Sequence, residues 1–270
     1  MKTSNSLFDN LKSVFAAVVI PVEIFLAIAI YLFVLGNPAN FQGDDPANHP
    51  LPGNYLGIVY KGGFIVPILI SLLMMVLTFG IERILTISRA KGKGNVKNFV
   101  QQIRGLLSAN NVGQALAACD QQKGSVANVI KAGLTKYGEL SQNSSIEQEK
   151  KVLMIQKDIE ETTQLEMPML EKNLVIIATI ASIATLLGLL GTVLGMIKAF
   201  AALATAGAPD AVALANGISE ALINTALGIG TSALAIILYN YFTTKIDALT
   251  YGIDEASYSI IQNFTTHTKG

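Results

Sequence analysis

Four stretches of this chain are long and apolar enough to cross a bilayer as helices: Val14 to Gly36, Phe64 to Ile87, Leu174 to Leu203 and Ala221 to Phe242. A hydrocarbon core about 30 Å thick needs about 20 such residues in a helix, so the runs predict an all-α integral membrane protein with four transmembrane helices. Composition agrees: 51% of the 270 residues are hydrophobic and 14% charged, too apolar for a soluble domain, in which about a quarter of residues are charged. The first run is longer than the 7 to 15 or so residues of a signal-peptide core and offers no convincing small-x-small cleavage site, so it reads as a retained anchor.

Lys and Arg beside membrane helices stay on the cytoplasmic side. Lys2 and Lys12 precede the first run, whereas Asn37 to Tyr60 carries Asp44 and Asp45 and no Lys or Arg. Arg83 stands at the end of the second run, and Arg89, Lys91, Lys93, Lys97 and Arg104 follow it. This pattern puts both termini on the cytoplasmic side. The chain then divides into an N-terminal tail and first transmembrane helix (1–36), a periplasmic segment (37–61), a transmembrane helix (62–87), a cytoplasmic helical domain (88–173), a transmembrane helix (174–205), a periplasmic connector with Gly207, Ala208, Pro209 and Asp210 (206–217), a last transmembrane helix (218–243) and a cytoplasmic tail (244–270).

Within the cytoplasmic domain, Val96, Phe99, Val100, Ile103, Leu106 and Leu107 share one helical face. A weaker pattern follows from Val112 to Cys119, and another includes Val126, Val129, Ile130 and Leu134. A capping box from Ser144 to Glu147 opens a charge-rich helix. With Pro168 as a kink, this helix is expected to run on to Leu203, about 90 Å at 1.5 Å per residue.

Neither enzyme nor metal chemistry is visible. The only histidines are His49 and His267, Cys119 is the single cysteine, and no nucleophile with its base, H-E-x-x-H or phosphate loop occurs. Cys119 reads as a small packed residue. Lys plus Arg and Asp plus Glu are both 19, which gives no reason to expect a nucleic-acid partner. The chain is therefore expected to be no enzyme and to need no cofactor or metal.

The informative residues lie in the last two runs. Thr185, Gly188, Thr192, Gly195 and Ala199 cluster on one side of the third, and Gly191 and Gly195 form a G-x-x-x-G pair. That side is read as a hydroxyl-lined groove, with close helix packing as the alternative. The fourth carries a small-residue stripe of Ala221, Thr225, Gly228, Ser232 and Ala235. A polar stripe of Asn216, Glu220, Asn224 and Thr231 lies roughly 140° away. A helix with two non-lipid faces sits between neighbours, or between a neighbour and a pore, and a ring of copies follows from that. Glu220 and Glu23 are the ionisable residues most clearly inside or bordering the runs, with Lys198 nearer the outer end of the third; intramembrane charges are functional candidates. Helix pairing is the competing reading for each. The threonine groove has no carboxylate at its centre, and hydroxyls do not titrate. Any proton crossing there needs an acid from a partner helix.

The blocks ATLLGLLGTVLGMIKAF, Ala184 to Phe200, and GISEALINTALG, Gly217 to Gly228, resemble the paired signature of the MotA/TolQ/ExbB proton-channel family. YNYF at Tyr239 to Phe242 and Glu82-Arg83 after a membrane span also fit, and the resemblance covers about Gly62 to Thr244, with ExbB the most similar branch. It implies a homo-oligomer, a pentameric ring, around a pair of helices from an ExbD-like subunit whose membrane Asp accepts protons. Thr192 and Thr225 match the threonines that would face that Asp, and Glu220 matches the glutamate near the periplasmic mouth; these form the expected proton pathway. Thr185, Gly188, Gly191, Gly195, Asn224, Gly228 and Ser232 are expected to line the pore or pack the helices. Proton flow would turn the motor and work on a TonB-like protein serving outer-membrane import. A TolQ-like envelope-maintenance subunit, a gliding motor or a non-conducting scaffold are the alternatives. The last span here reads SALAII from Ser232 to Ile237 where many relatives have a proline, and the first span and its acidic segment are additions to the three-helix core.

Overall fold

The computed structural model describes the backbone of residues 3–143, 145–204 and 210–267, with side chains from residue 15 to residue 266. Among these residues the chain is helical, and its only β feature is one isolated bridge between Phe41 and Pro50. The helices are α1 (Thr3–Ala29), α2 (Tyr55–Tyr60), α3 (Ile65–Lys91), α4 (Val96–Ser108), α5 (Val112–Gln122), α6 (Gly124–Ser141), α7 (Gln148–Glu171), α8 (Leu174–Leu203) and α9 (Ala211–His267). Four apolar stretches, carried by α1, α3, α8 and α9, are long enough to cross a membrane, as expected of a multi-pass all-α membrane protein. The chain forms two compact units, residues 1–81 with 175–239 and residues 82–174 with 240–270.

In the first unit, α1 buries a narrow stripe. Glu23, Ala27 and Leu35 recur every four or eight residues and are buried, with Tyr31 half-buried between them. Phe25, Leu26 and Phe33 point outward, as lipid-facing residues do. After Ala29 the helix widens into a π-turn, Ile30–Leu35. Its free carbonyls find a donor in Asn40, whose Nδ2 reaches Val34 O at 2.9 Å and Leu35 O at 3.0 Å.

The segment between the first two spans has a small core of its own. Tyr31 stacks on Tyr60 at 4.7 Å between ring centres, and Phe41 meets Tyr60 edge-on at 5.4 Å. The Lys61 ammonium donates to Pro46 O at 2.9 Å and Ala47 O at 3.0 Å and sits 5.6 Å from the centre of the Phe41 ring. Burial pulls the Lys61 pKa below its ordinary value, and the nearby Asp45 opposes this.

The second unit is an amphipathic helical domain. The expected face of α4 is buried through Val96, Phe99, Val100, Ile103 and Leu107. Opposite it, the far part of α9 buries Ile246, Leu249, Ile253, Ala256, Ile260 and Phe264, spaced by three and four residues. Tyr137 packs edge-on against Phe264 at 4.9 Å and donates to Asn263 Oδ1 at 3.0 Å, while Asn263 Nδ2 donates to Leu107 O at 2.8 Å. Cys119 is 2% exposed, and burial, with Asp120 beside it, pushes its thiol up to about 12. It is the packed small residue anticipated.

Two expectations need correction. Helix α7 starts at Gln148 with Glu147 at its N-cap, so Glu147 is not the third residue of a capping box; Ser144 lies outside the described residues. The rod from residue 144 to 203 is not continuous. The chain leaves the helix at Lys172 (ψ 138°), and Asn173 adopts a left-handed φ of 67°, which Asn tolerates better than most residues. Arg83, 2% exposed, stabilises that break by donating from Nη1 to Leu170 O at 2.9 Å and Met169 O at 3.2 Å, the orphan carbonyls at the end of α7. Helix α9 runs on beyond the last apolar run to His267. Gly207, Ala208 and Pro209 of the connector lie outside the described residues, as do Lys2 and the Lys12 and His267 side chains.

Candidate functional site

Helices α8 and α9 run antiparallel and meet through glycine. A Cβ on Gly195 would lie 2.6 Å from Ala221 N and 2.7 Å from Gly217 O, and one on Gly217 would lie 2.6 Å from Ala199 N. A Cβ on Gly228 would lie 2.6 Å from Ala184 O, and one on Gly188 would lie 2.9 Å from Asn224 O. Nothing larger than hydrogen fits at these four positions while the backbones stay where they are. In lipid, where apolar burial between helices gains little, such close backbone approach is the main source of helix association. Gly191 leaves room in the same seam for the Asn224 side chain.

The close approach brings two hydroxyls together. Thr192 Oγ1 and Thr225 Oγ1 are in hydrogen-bond contact across the seam. Thr225 Oγ1 also donates to Ala221 O at 3.1 Å, and Thr192 Oγ1 lies 3.3 Å from Gly188 O and 3.5 Å from Ala221 O. Both threonines are half-buried, so the pair has one open side in the single chain. A hydroxyl donates once and accepts twice and carries no charge near neutral pH. This pair can orient or pass a proton held by another group but cannot store one.

Thr185 does not join them. It is exposed, because the contact line runs through Ala184, Gly188, Gly191 and Gly195, and a residue one position from Ala184 is turned by about 100°. Ser232 does face α8, donating to Ala181 O at 2.5 Å.

The polar stripe of α9, beside the glycine seam, is buried between α8 and the turn that precedes α3. Asn224, fully buried, donates from Nδ2 to Gly62 O at 2.8 Å, and its Oδ1 has no partner among the described residues. Glu220 is 7% exposed, and its carboxylate lies so close to Gly63 (φ 77°) that a Cβ there would stand 2.7 Å from Oε1. The Lys198 ammonium, on α8, donates to Oε1 at 2.7 Å and Oε2 at 2.8 Å. Glu220 is thus held as an interhelical ion pair, about 8 Å along the helix axes from the threonines. Thr231, on the same stripe, is 2% exposed. So α9 does have two covered faces, one of glycine and small residues and one polar.

Glu23 is not part of this seam. It is 6% exposed and accepts from Thr78 Oγ1 of α3 at 2.5 Å. Two contacts escaped the sequence reading. Lys198 and Glu220 were visible as charges but not as a pair, and nothing in the pattern of α3 marks Thr78 as the partner of Glu23. Among the described residues no group of His, Cys, Asp or Glu is arranged to hold a metal ion.

Comparison with known proteins places these helices. The chain is 31% identical over 124 residues to the Tol-Pal system protein TolQ of Pseudomonas aeruginosa, covering 46% of this chain and 54% of that protein. It is 42% identical over 80 residues to the biopolymer transport protein ExbB of Helicobacter pylori, covering 30% and 55%, and 35% identical over 86 residues to that of Pseudomonas putida, covering 32% and 26%. The matches thus span about half the length of these relatives, or less. The sequence profile of one family matches residues 121–255, half of the chain and the whole of the α8–α9 seam, and the chain belongs to that family, the MotA/TolQ/ExbB proton channel family.

Proposed function

We propose that this chain is the ring-forming subunit of a proton-driven motor in the bacterial inner membrane, with both termini in the cytoplasm. Five copies surround a pair of helices from an ExbD-like subunit, and the assembly drives a TonB-like protein for outer-membrane import. One observation carries the reading: Thr192 and Thr225 form a half-open hydroxyl pair on a glycine-packed seam, and among the described residues the nearest carboxylate of the seam, Glu220, lies about 8 Å along the helix axes and is taken by Lys198. Such a surface suits a titrating acid supplied by another chain, since it offers hydrogen bonds without a competing charge. The Glu220–Lys198 pair stands at the outer end of the seam as a charged rim to the pathway. Each proton falling through 100 mV supplies about 2.3 kcal/mol, so a few protons suffice for a mechanical step. The reading assigns the chain no catalysis and no cofactor.

A TolQ-like role in envelope maintenance is the second reading, favoured by the 31% identity to a protein of that name. Loss of nutrient uptake on deletion points to the ExbB-like role, and envelope leakage points to the TolQ-like one. The conduction claim is tested by proton flux in vesicles holding this chain and its ExbD-like partner. Thr192→Val and Thr225→Val should each reduce flux to the vesicle background while the complex still assembles. Undiminished flux in both variants overturns the reading, and absence of flux in the wild-type complex makes the chain a scaffold.

A further inference from the structure

The mid-membrane carboxyl of Glu23 has no role in the threonine seam and, among the described residues, no cation beside it. We infer that Glu23 is a second proton-binding site, a neutral carboxyl group held between α1 and α3.

An ionised carboxylate presents about four acceptor positions and needs donors or a cation to leave water. Glu23, 6% exposed, has one donor, the Thr78 hydroxyl at 2.5 Å on Oε1, while Oε2 is buried with no partner among the described residues. The other titratable groups of this region are engaged elsewhere. Tyr31, two turns along the same stripe of α1, donates its hydroxyl to Tyr60 O at 3.2 Å. Glu220 is taken by Lys198, and Glu82 and Arg83, further along α3, are paired with each other. With one donor and no countercharge among the described residues, the group is stable there only with a proton on it. Thr78 then serves the carbonyl oxygen and the proton rests on Oε2.

The position gives this proton a structural consequence. Among the described residues, α1 meets its neighbours through the stripe of Glu23, Ala27, Tyr31 and Leu35 and through Phe15, edge-on to Phe79 of α3 at 6.0 Å, while Val22, Phe25, Leu26 and Phe33 are apolar and exposed. Removing the proton would put an unpaired charge in the middle of that stripe, and the charge would be relieved by letting α1 part from α3 to admit water. Seated α1 therefore binds the proton more tightly than displaced α1, and proton binding seats the helix. The inference does not depend on conduction along α8 and α9.

Infrared spectroscopy of the full-length protein in lipid vesicles at neutral pH tests it. The wild-type minus Glu23→Gln difference should contain a protonated-carboxyl C=O stretch above the amide band. Thr78→Val should move that stretch to higher frequency, because the carbonyl loses its donor. Glu23→Gln should keep the stability of the parent, as an amide replaces a neutral acid without changing charge. A difference spectrum with carboxylate stretches in place of the C=O band overturns the proposal. Should Glu23→Gln fail to fold, the wild-type minus Thr78→Val spectrum decides alone: a derivative feature in the C=O region supports the site, and its absence there refutes it.

Discussion

Two glycine-to-alanine changes, made in neighbouring helices, separate the packing of the seam from the general preference of helices for alanine. At Gly195 a Cβ would meet Ala221 N at 2.6 Å, Gly217 O at 2.7 Å and Ala221 Cα at 3.0 Å, all backbone atoms that no rotamer change can move. Restoring an ordinary 3.4 Å contact from 2.6 Å requires the helices to part by about 0.8 Å. Such overpacking costs about 1–3 kcal/mol, against a gain of about 0.5–1 kcal/mol from replacing glycine in a helix, so Gly195→Ala should destabilise by about 0.5–2 kcal/mol. Gly230, on the same helix as Gly217, has nothing within 4 Å of its would-be Cβ. Gly230→Ala should therefore be neutral or stabilising by up to about 1 kcal/mol. Unfolding in mixed micelles with increasing SDS, followed by loss of helical circular dichroism, ranks the two variants against the wild type. The same separation would draw Thr192 away from Thr225, so Gly195→Ala should also lower proton flux while Gly230→Ala leaves it intact. Equal stability of Gly195→Ala and wild type would refute the packing argument, and so would a reversed order of the two variants.

The ion pair and the free thiol give two further expectations. Lys198 is 55% exposed at its side chain while Glu220 is 9%, so the two are not equivalent. Lys198→Met leaves a buried carboxylate without its donors and should be more destabilising than Glu220→Gln, which frees an ammonium that can reach water, by on the order of 1–3 kcal/mol in the same SDS titration. Cys119 should stay unlabelled by maleimide at pH 8 in the folded protein and react readily once denatured. Its folded pKa of about 12 lies above the ordinary 9.0, so the folded state holds the proton longer; its contribution to stability is complete below pH 9.0 and is lost as the pH rises toward 12, readable as a falling midpoint in alkaline melts.

What could be read in the sequence was whatever depended on one helix at a time. Gly188, Gly191, Gly195 and Gly228 announce a close helix contact because only small residues allow it, and the two stripes of α9 turn out to be two covered faces. The face of α4 was visible for the same reason. Thr185 stays outside the α8–α9 contact because the contact line passes through Ala184, a shift of one residue that periodicity alone does not fix. The interruption at Asn173 had a local signal in the tolerance of Asn for positive φ, yet what stabilises it is Arg83, far away in the sequence. The extension of α9 was legible and overlooked, since Ile246, Leu249, Ile253, Ala256, Ile260 and Phe264 already keep helical spacing. Pairings such as Glu23 with Thr78 and Lys198 with Glu220 join separate helices, and no periodicity within either helix reports them.

The most direct test of the whole account asks what Thr192 and Thr225 face in the assembled protein. With Thr225 replaced by cysteine, and a cysteine also put in place of the membrane carboxylate of the ExbD-like partner, oxidation of intact membranes should join the two chains through a disulfide. A cysteine at Thr225 that never links to the partner, and is instead labelled from the acyl-chain region by a lipid-dissolved thiol reagent, would show that the hydroxyl pair faces lipid rather than a passage.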